Sequence, residues 1–553
     1  MAHKILTKPA ARLSALFFAC ALGACNTIEN APLHLNYDIG RIEPGVKITL
    51  TMRGDLDGET ELKIGDAWAD EKSPHERFKS IEVSGGVLTR ENAHVNIRHE
   101  ANANLTISWE LHKTDGRNFQ QDPIYFFAPV ITDNYIHLIG YTSLMFPVTK
   151  APVSINFAGS ALAGESQAVL SPLWSSPAPI DGGQIPSGFL MAGKINARRS
   201  ADEKIAVGIA PGLELNSAKL IKDLEPVLSS LSQVWGSEAT SYSVTLQPAP
   251  PEIGTVLAGT AFAGGFAAAA SSDMGGDRLG GFLTHEVAHE WVPNKIGALE
   301  FEATSREPEG YWISEGFTQL LSRKAQIQSG QLDDQGYADR VNEDLRELYL
   351  SPVRTHTNAQ IGEKFWTDRD IERLPYLRGF LVAAKWDAEI ARHSKGIADM
   401  IDVLKSLERA NNVTEDGIKL TKEIVIEHAK MQGALNPELD VSGFIIAGNL
   451  FTPPDNMLGP DFVLSEVKVH PYDIGFDFEK TRANGIVEGV LEGSNAYRAG
   501  LRNGIGFVSK LSGGGGDTTV PIVLKLSDQG QEFELSYIPA EPDGVMVPQF
   551  IRK

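Results

Sequence analysis

The sequence predicts a multidomain α+β chain, and three observations carry that expectation. Its 553 residues exceed what one hydrophobic core organises, so two to four domains are expected. From about residue 33 to 200, short runs alternate apolar and polar side chains. Helical periodicity takes over near Ser217 and holds to about 450. Near 465 short strands with Gly-rich turns return. The composition, 42% hydrophobic and 22% charged, is that of a globular chain and excludes a disordered one. A net charge of −21 leaves no basic face to displace phosphate counterions, so no nucleic-acid partner is expected. The two cysteines, Cys20 and Cys25, both lie within the first 25 residues, so neither a disulfide nor a Cys-based zinc site can serve the body of the protein.

The N-terminus reads as an export signal over residues 1–24. Lys4, Lys8 and Arg12 precede a short apolar run, Leu13–Leu22, too short to span a bilayer permanently. Leu22-Gly23-Ala24-Cys25 resembles the lipobox of bacterial lipoproteins, which implies lipidation at Cys25. The alternative is an ordinary signal peptide cut at small residues, with Cys25 a bystander. Removing residues 1–24 takes three positive charges and leaves −24. Asn26 after the Cys suits sorting to the outer membrane. The expected location is the cell envelope, lipid-anchored and facing the periplasm.

The body divides, on pattern alone, into four parts. Residues 25–200 carry the alternating runs VKITLTM, HVNIRH, LTISWEL and YIHLIGY and are expected to form a β-sandwich. Residues 201–330 open with Ser217–Trp235, whose Leu220, Leu224, Val227, Leu228 and Leu231 share one stripe. The apolar run Val256–Ala270 has no charge and three Gly, and is expected to be a buried strand and turn. Residues 331–460 form a helical lobe, with helices expected over Arg373–Arg392 and Thr414–Gln432. Residues 461–548 make a last small domain. The Gly513–Gly516 run lacks a strand-then-helix context for cradling phosphate and reads as a loop tip.

The chemistry-bearing residues start at His285-Glu286-Val287-Ala288-His289. With Gly280-Gly281 before it and Pro293 after it, Phe282–Trp291 is expected to be about three helical turns. At i and i+4 the two imidazoles share a face, as two ligands of one zinc require, and Glu286 sits where it can polarise a water on the metal. The bland reading is a surface helix with two solvated His. A second helix begins at Tyr311, with Trp312, Phe317, Leu320 and Leu321 apolar and Glu315 on the inward side of its first turn. A carboxylate on an otherwise apolar face needs a partner, and a cation is the natural one. Two His and one Glu with an open position form a catalytic zinc pattern.

These segments resemble the gluzincin peptidases, most closely the glycyl aminopeptidase family. HEVAHEWVPNKIG places Trp291 two residues after His289, and EGYWISEGFTQLL supplies the W-x-x-E-G-F-T segment. The resemblance implies a thermolysin-like domain with one zinc held by His285, His289 and Glu315, and Glu286 as general base. Pro375-Tyr376-Leu377-Arg378-Gly379 is similar to a family stretch whose Tyr donates to the oxyanion, a role Tyr376 would inherit. Relatives also carry Gly-Gly-x-Glu before HExxH, the Glu binding the substrate's free amine. The matching stretch is taken as Gly264-Gly265-Phe266-Ala267, with Ala where Glu would be. Gly264 and Gly265 are then expected to hold peptide backbone by strand addition. Ala267 leaves exo- or endo-cleavage open, with Asp273 a conceivable substitute.

Val467 to about Pro539 resembles a PDZ domain, Asp473-Ile474-Gly475-Phe476 matching its carboxylate-binding loop and Gly493–Leu501 its helix. Such a module implies a C-terminal peptide ligand; the alternative is a lid or packing domain. Together these features predict a lipid-anchored zinc metallopeptidase acting on peptides or proteins. The competing readings are a catalytically silent envelope adaptor working through its PDZ domain, and a hydrolase of cell-wall amides.

Overall fold

Strand alternation in the N-terminal region buries one face of each strand. Leu33–Ile42 turns Leu35, Tyr37 and Ile39 inward and His34, Asn36 and Asp38 outward. It lies at the centre of a six-stranded sheet, parallel to Pro152–Ala158 and antiparallel to Gly45–Arg53. A four-stranded sheet containing Glu59–Lys63 and His94–His99 shares its core, which is built on Tyr37, Trp109 and Phe78. This is the expected sandwich. A third sheet, not foreseen as separate, contains Tyr135–Ile139 and Phe189–Gly193, both buried at every position. Such strands are covered on both faces. One cover is the next domain, where His137 meets Thr245 and Gln247. The computed structural model describes residues 32–66, 73–113, 128–162, 167–236, 241–249, 257–262, 264–271, 276–300, 306–414, 417–513 and 517–553. Cys25, the export segment, Asp273 and most of the Gly513–Gly516 run lie outside the described residues.

The middle of the chain is a five-stranded sheet covered by helices. In order its strands are Asn196–Arg199, Ile205–Ile209, Tyr242–Pro248, Gly265–Ala270 and Leu257–Phe262. The first strand lies before residue 200, so the domain begins earlier than expected. Ser217–Trp235 is helical as predicted, with Asn216 accepting from the Ala218 and Lys219 amides and Gly236 closing it at φ 78°. The apolar run is a hairpin, its strands antiparallel and joined at Gly264.

The helical lobe is not a separate body. One continuous core runs from Ile205 through Trp312 and Trp386 to Phe451, and takes in Phe462 and Phe550 from the C-terminal region. The predicted Arg373–Arg392 helix is longer, Arg369–His393, capped by Asp368. Thr414–Gln432 is corrected. Its helix is only Lys422–Gln432, capped by Thr421, because Lys419–Leu420 pairs instead with Ala298–Leu299.

The C-terminal part has a small core of Phe476, Val487, Ala496, Leu501, Ile522, Leu524, Leu526 and Tyr537. Phe462–Val469 pairs with Val545–Arg552, so the unit runs past residue 548. Here the expected peptide groove differs. The residues after the Asp473–Phe476 loop form a helix, Phe478–Asn484, where strand addition needs an extended edge. The Gly475 amide is already bonded to Asp473 Oδ1 at 2.8 Å and its carbonyl to the Leu491 amide at 2.9 Å. Among the described residues, no helix is long and apolar enough to cross a membrane.

Candidate metal centre

The HExxH helix runs Gly276–Ala288, with Leu279, Leu283 and Val287 buried as its core-facing stripe. It differs from expectation at both ends. Gly280 and Gly281 lie inside the helix, and His289 lies just beyond it in tight turns, where the Glu290 amide bonds to Val287 O and the Trp291 amide to Ala288 O. Pro293 enforces the exit, since helical backbone is disfavoured before proline. The His285 and His289 rings therefore stand edge to face, centroids 4.8 Å apart and planes at 84°.

The second helix is Tyr311–Gln328, and it buries Trp312, Phe317, Leu320 and Leu321 as predicted. Glu315 Oε2 lies 3.1 Å from His285 Nε2 and 3.3 Å from His289 Nε2. One ligand atom from each of the three residues falls within 4.8 Å of the others. The donor set fits a single zinc. His289 Nδ1 donates to Val292 O at 2.8 Å, a carbonyl that also accepts from Thr318 Oγ1 at 2.9 Å, and this presents Nε2 to the cleft. Burial opposes the charged forms here. Glu315 nonetheless stays ionised well below the usual carboxylate range because the two imidazoles outweigh that burial. Burial likewise works against protonated His289, but Glu315 outweighs it and holds the ring up at about 9.

Glu286 and Tyr376 complete the cluster. Burial pushes the Glu286 carboxyl up, the two imidazoles pull it down, and the net direction is up. Tyr376 lies two turns into the Arg369–His393 helix, its ring centroid 5.9 Å from that of His285. Burial, followed by Glu315 and Glu286, raises its hydroxyl well above the ordinary tyrosine value, so it stays a proton donor.

The position of Tyr376 depends on a backbone contact that sequence reasoning missed. The two helices cross at Gly316 and Gly379, where a Cβ on either residue would overlap the other helix's backbone. Glu315 adjoins one glycine and Tyr376 lies a turn before the other.

The structure corrects the strand-edge expectation at Gly264 and Gly265. Gly265–Ala270 is paired on both sides, with Tyr242–Pro248 and with Leu257–Phe262, so among the described residues the edge on this side of the sheet is Leu257–Phe262. Gly264 is the hairpin turn at φ 73°, and a Cβ on Gly265 would lie 2.6 Å from Phe189 Cζ. Ala267 packs with Ile139, Phe189 and Phe262, on the face away from the metal helix. It is therefore not a vacated amine site. Glu290 holds the hairpin, accepting from the Gly264 amide at 2.6 Å.

Residues 278–369 match the M61 glycyl aminopeptidase family. The match spans HExxH and Glu315 and stops before Tyr376. The fold is that of an aminopeptidase N family protein from Idiomarina loihiensis, at TM-score 0.64 and 14% identity over 93% of this chain and 97% of that one. Yeast LTA4 hydrolase, solved with bestatin, aligns at TM-score 0.44 and 13% identity over 77% of this chain and 68% of its own, too slight to argue from. No curated protein matches the chain.

Proposed function

We propose that this protein is a zinc-dependent metallopeptidase. One observation carries the reading: His285, His289 and Glu315 converge while Glu286 and Tyr376 border the same point. Bound there, zinc would supply Lewis-acid polarisation of the scissile carbonyl and of water. Glu286, its pKa raised toward the working range of a general base, takes the proton of the attacking water and passes it to the leaving amine. Tyr376 donates to the developing oxyanion. The free edge Leu257–Phe262 takes the substrate backbone as an added strand. The likeness to lipoprotein export signals supports an envelope location with a lipid on Cys25, and the substrates are then peptides or proteins of that compartment.

The test is zinc stoichiometry together with hydrolysis of an amine-blocked and an unblocked peptide, with Glu286→Ala as control. One zinc per chain and at least a 100-fold loss in the control are expected. Cleavage of the unblocked peptide alone makes it an aminopeptidase; cleavage of both makes it an endopeptidase. No zinc, or activity untouched by Glu286→Ala, overturns the mechanism and favours the adaptor reading.

A further inference from the structure

We infer that Gln319 is a positioning residue deciding which ring nitrogen of His285 carries the hydrogen, and so whether Nε2 is free for the metal, and that the buried Arg323–Asp344 pair biases that choice. The inference rests on the metal reading above. Gln319 follows Glu315 by one helical turn, and its amide lies between His285 Nδ1 and Arg323.

Neither amide orientation suits both neighbours once a metal is bound. With Oε1 toward His285, the ring's Nδ1–H donates at 2.9 Å and Nε2 is free for a metal, but the amide NH2 then faces the N–H groups of Arg323. Turned over, Oε1 accepts from Arg323 Nη2 and Nε at 3.0 Å each, and NH2 donates to His285 Nδ1 at 2.9 Å. The ring's hydrogen then sits on Nε2 and is given to Glu315 Oε2 at 3.1 Å, which occupies the lone pair a metal requires.

Arg323 is poorly placed to turn away. It is 5% exposed, its Nη1 lies 2.7 Å from Asp344 Oδ2, and its guanidinium stacks 4.0 Å from the Phe380 ring centre. Asp344 is itself only 8% exposed, so moving either partner leaves a buried charge unpaired. The pair thus favours the metal-free arrangement, and metal binding must turn the Gln319 amide over. A carboxylate at 319 removes the conflict, because both of its oxygens accept.

The experiment uses the whole chain. Zinc affinity is measured by competition with a chromophoric chelator in wild type, Gln319→Glu and Gln328→Glu, and the His285 tautomer is read from 15N shifts of the metal-free proteins. Wild-type His285 is expected with its proton on Nε2 and the Gln319→Glu ring with its proton on Nδ1. Zinc should bind Gln319→Glu about 10-fold more tightly or better, the scale on which a hydrogen-bond partner of a metal-bound histidine changes affinity. Gln328→Glu adds the same charge at an exposed position of the same helix and should leave affinity unchanged. A wild-type ring already protonated on Nδ1, equal or weaker zinc binding by Gln319→Glu, or a gain shared with Gln328→Glu overturns the role of Gln319. Absence of zinc binding in wild type overturns the metal reading itself.

Discussion

Replacing Gly379 with alanine tests whether the helix crossing places Tyr376. The added methyl would overlap the Trp312 carbonyl oxygen and sit 2.8 Å from its carbon and 2.9 Å from Gly316 Cα, where 3.4 Å or more is ordinary. Relief requires the helices to part by about 1 Å, and such overpacking costs about 1–3 kcal/mol. Against this, Gly→Ala inside a helix ordinarily stabilises by about 0.5–1 kcal/mol. The two effects have opposite signs, and the clash is against rigid backbone, so net destabilisation is expected. A shift of about 1 Å at Tyr376 should lower kcat roughly 100-fold while zinc affinity holds, because the three ligands sit on the other two elements. Denaturant unfolding and steady-state kinetics on the zinc-loaded protein measure both. Gly280→Ala is the control, since nothing lies within 4 Å of its Cβ, and it should stabilise. If Gly379→Ala is as stable as wild type and keeps its kcat within twofold, the crossing does not position Tyr376.

Two further outcomes follow from the geometry. His137 is 1% exposed between Gln247 and Thr245, and burial lowers its pKa to about 4. The unfolded chain takes up a proton near pH 6.5 that the folded one refuses, so stability falls as pH drops from about 6.5 to about 4, by about 3 kcal/mol. Unfolding free energies across that window should lose most of the slope in His137→Gln, and an unchanged slope would refute the assignment. Glu290→Ala frees the Gly264 amide that Glu290 Oε2 holds at 2.6 Å, loosening the hairpin behind the edge proposed to take substrate. KM should rise severalfold with kcat largely kept; a fall in kcat at constant KM would place Glu290 in the chemistry instead.

The candidate metal centre was legible because its parts are local. A pentapeptide on a helix sets two imidazoles within reach of each other, and a Glu on an apolar helix face announces a buried partner. Gln319 was legible on the same logic, one turn after Glu315, and was overlooked only because an amide is not a ligand. The Gly-Gly segment misled because two glycines in an apolar run look alike whether they form a sheet edge, a turn or a packing contact with Phe189.

The sequence by itself determined the succession of β, mixed and helical regions, the HExxH helix, the helix bearing Glu315 and the one bearing Tyr376. These follow from periodicity, capping and charge, which act over a few residues. Tertiary structure alone decided that Leu257–Phe262 lies at an edge of the five-stranded sheet, that the helical lobe shares one core with that sheet, and that Gly316 meets Gly379. It also decided that Phe478–Asn484 is helix. Pairing partners and backbone crossings join residues tens of positions apart, and local pattern holds no record of which partner wins.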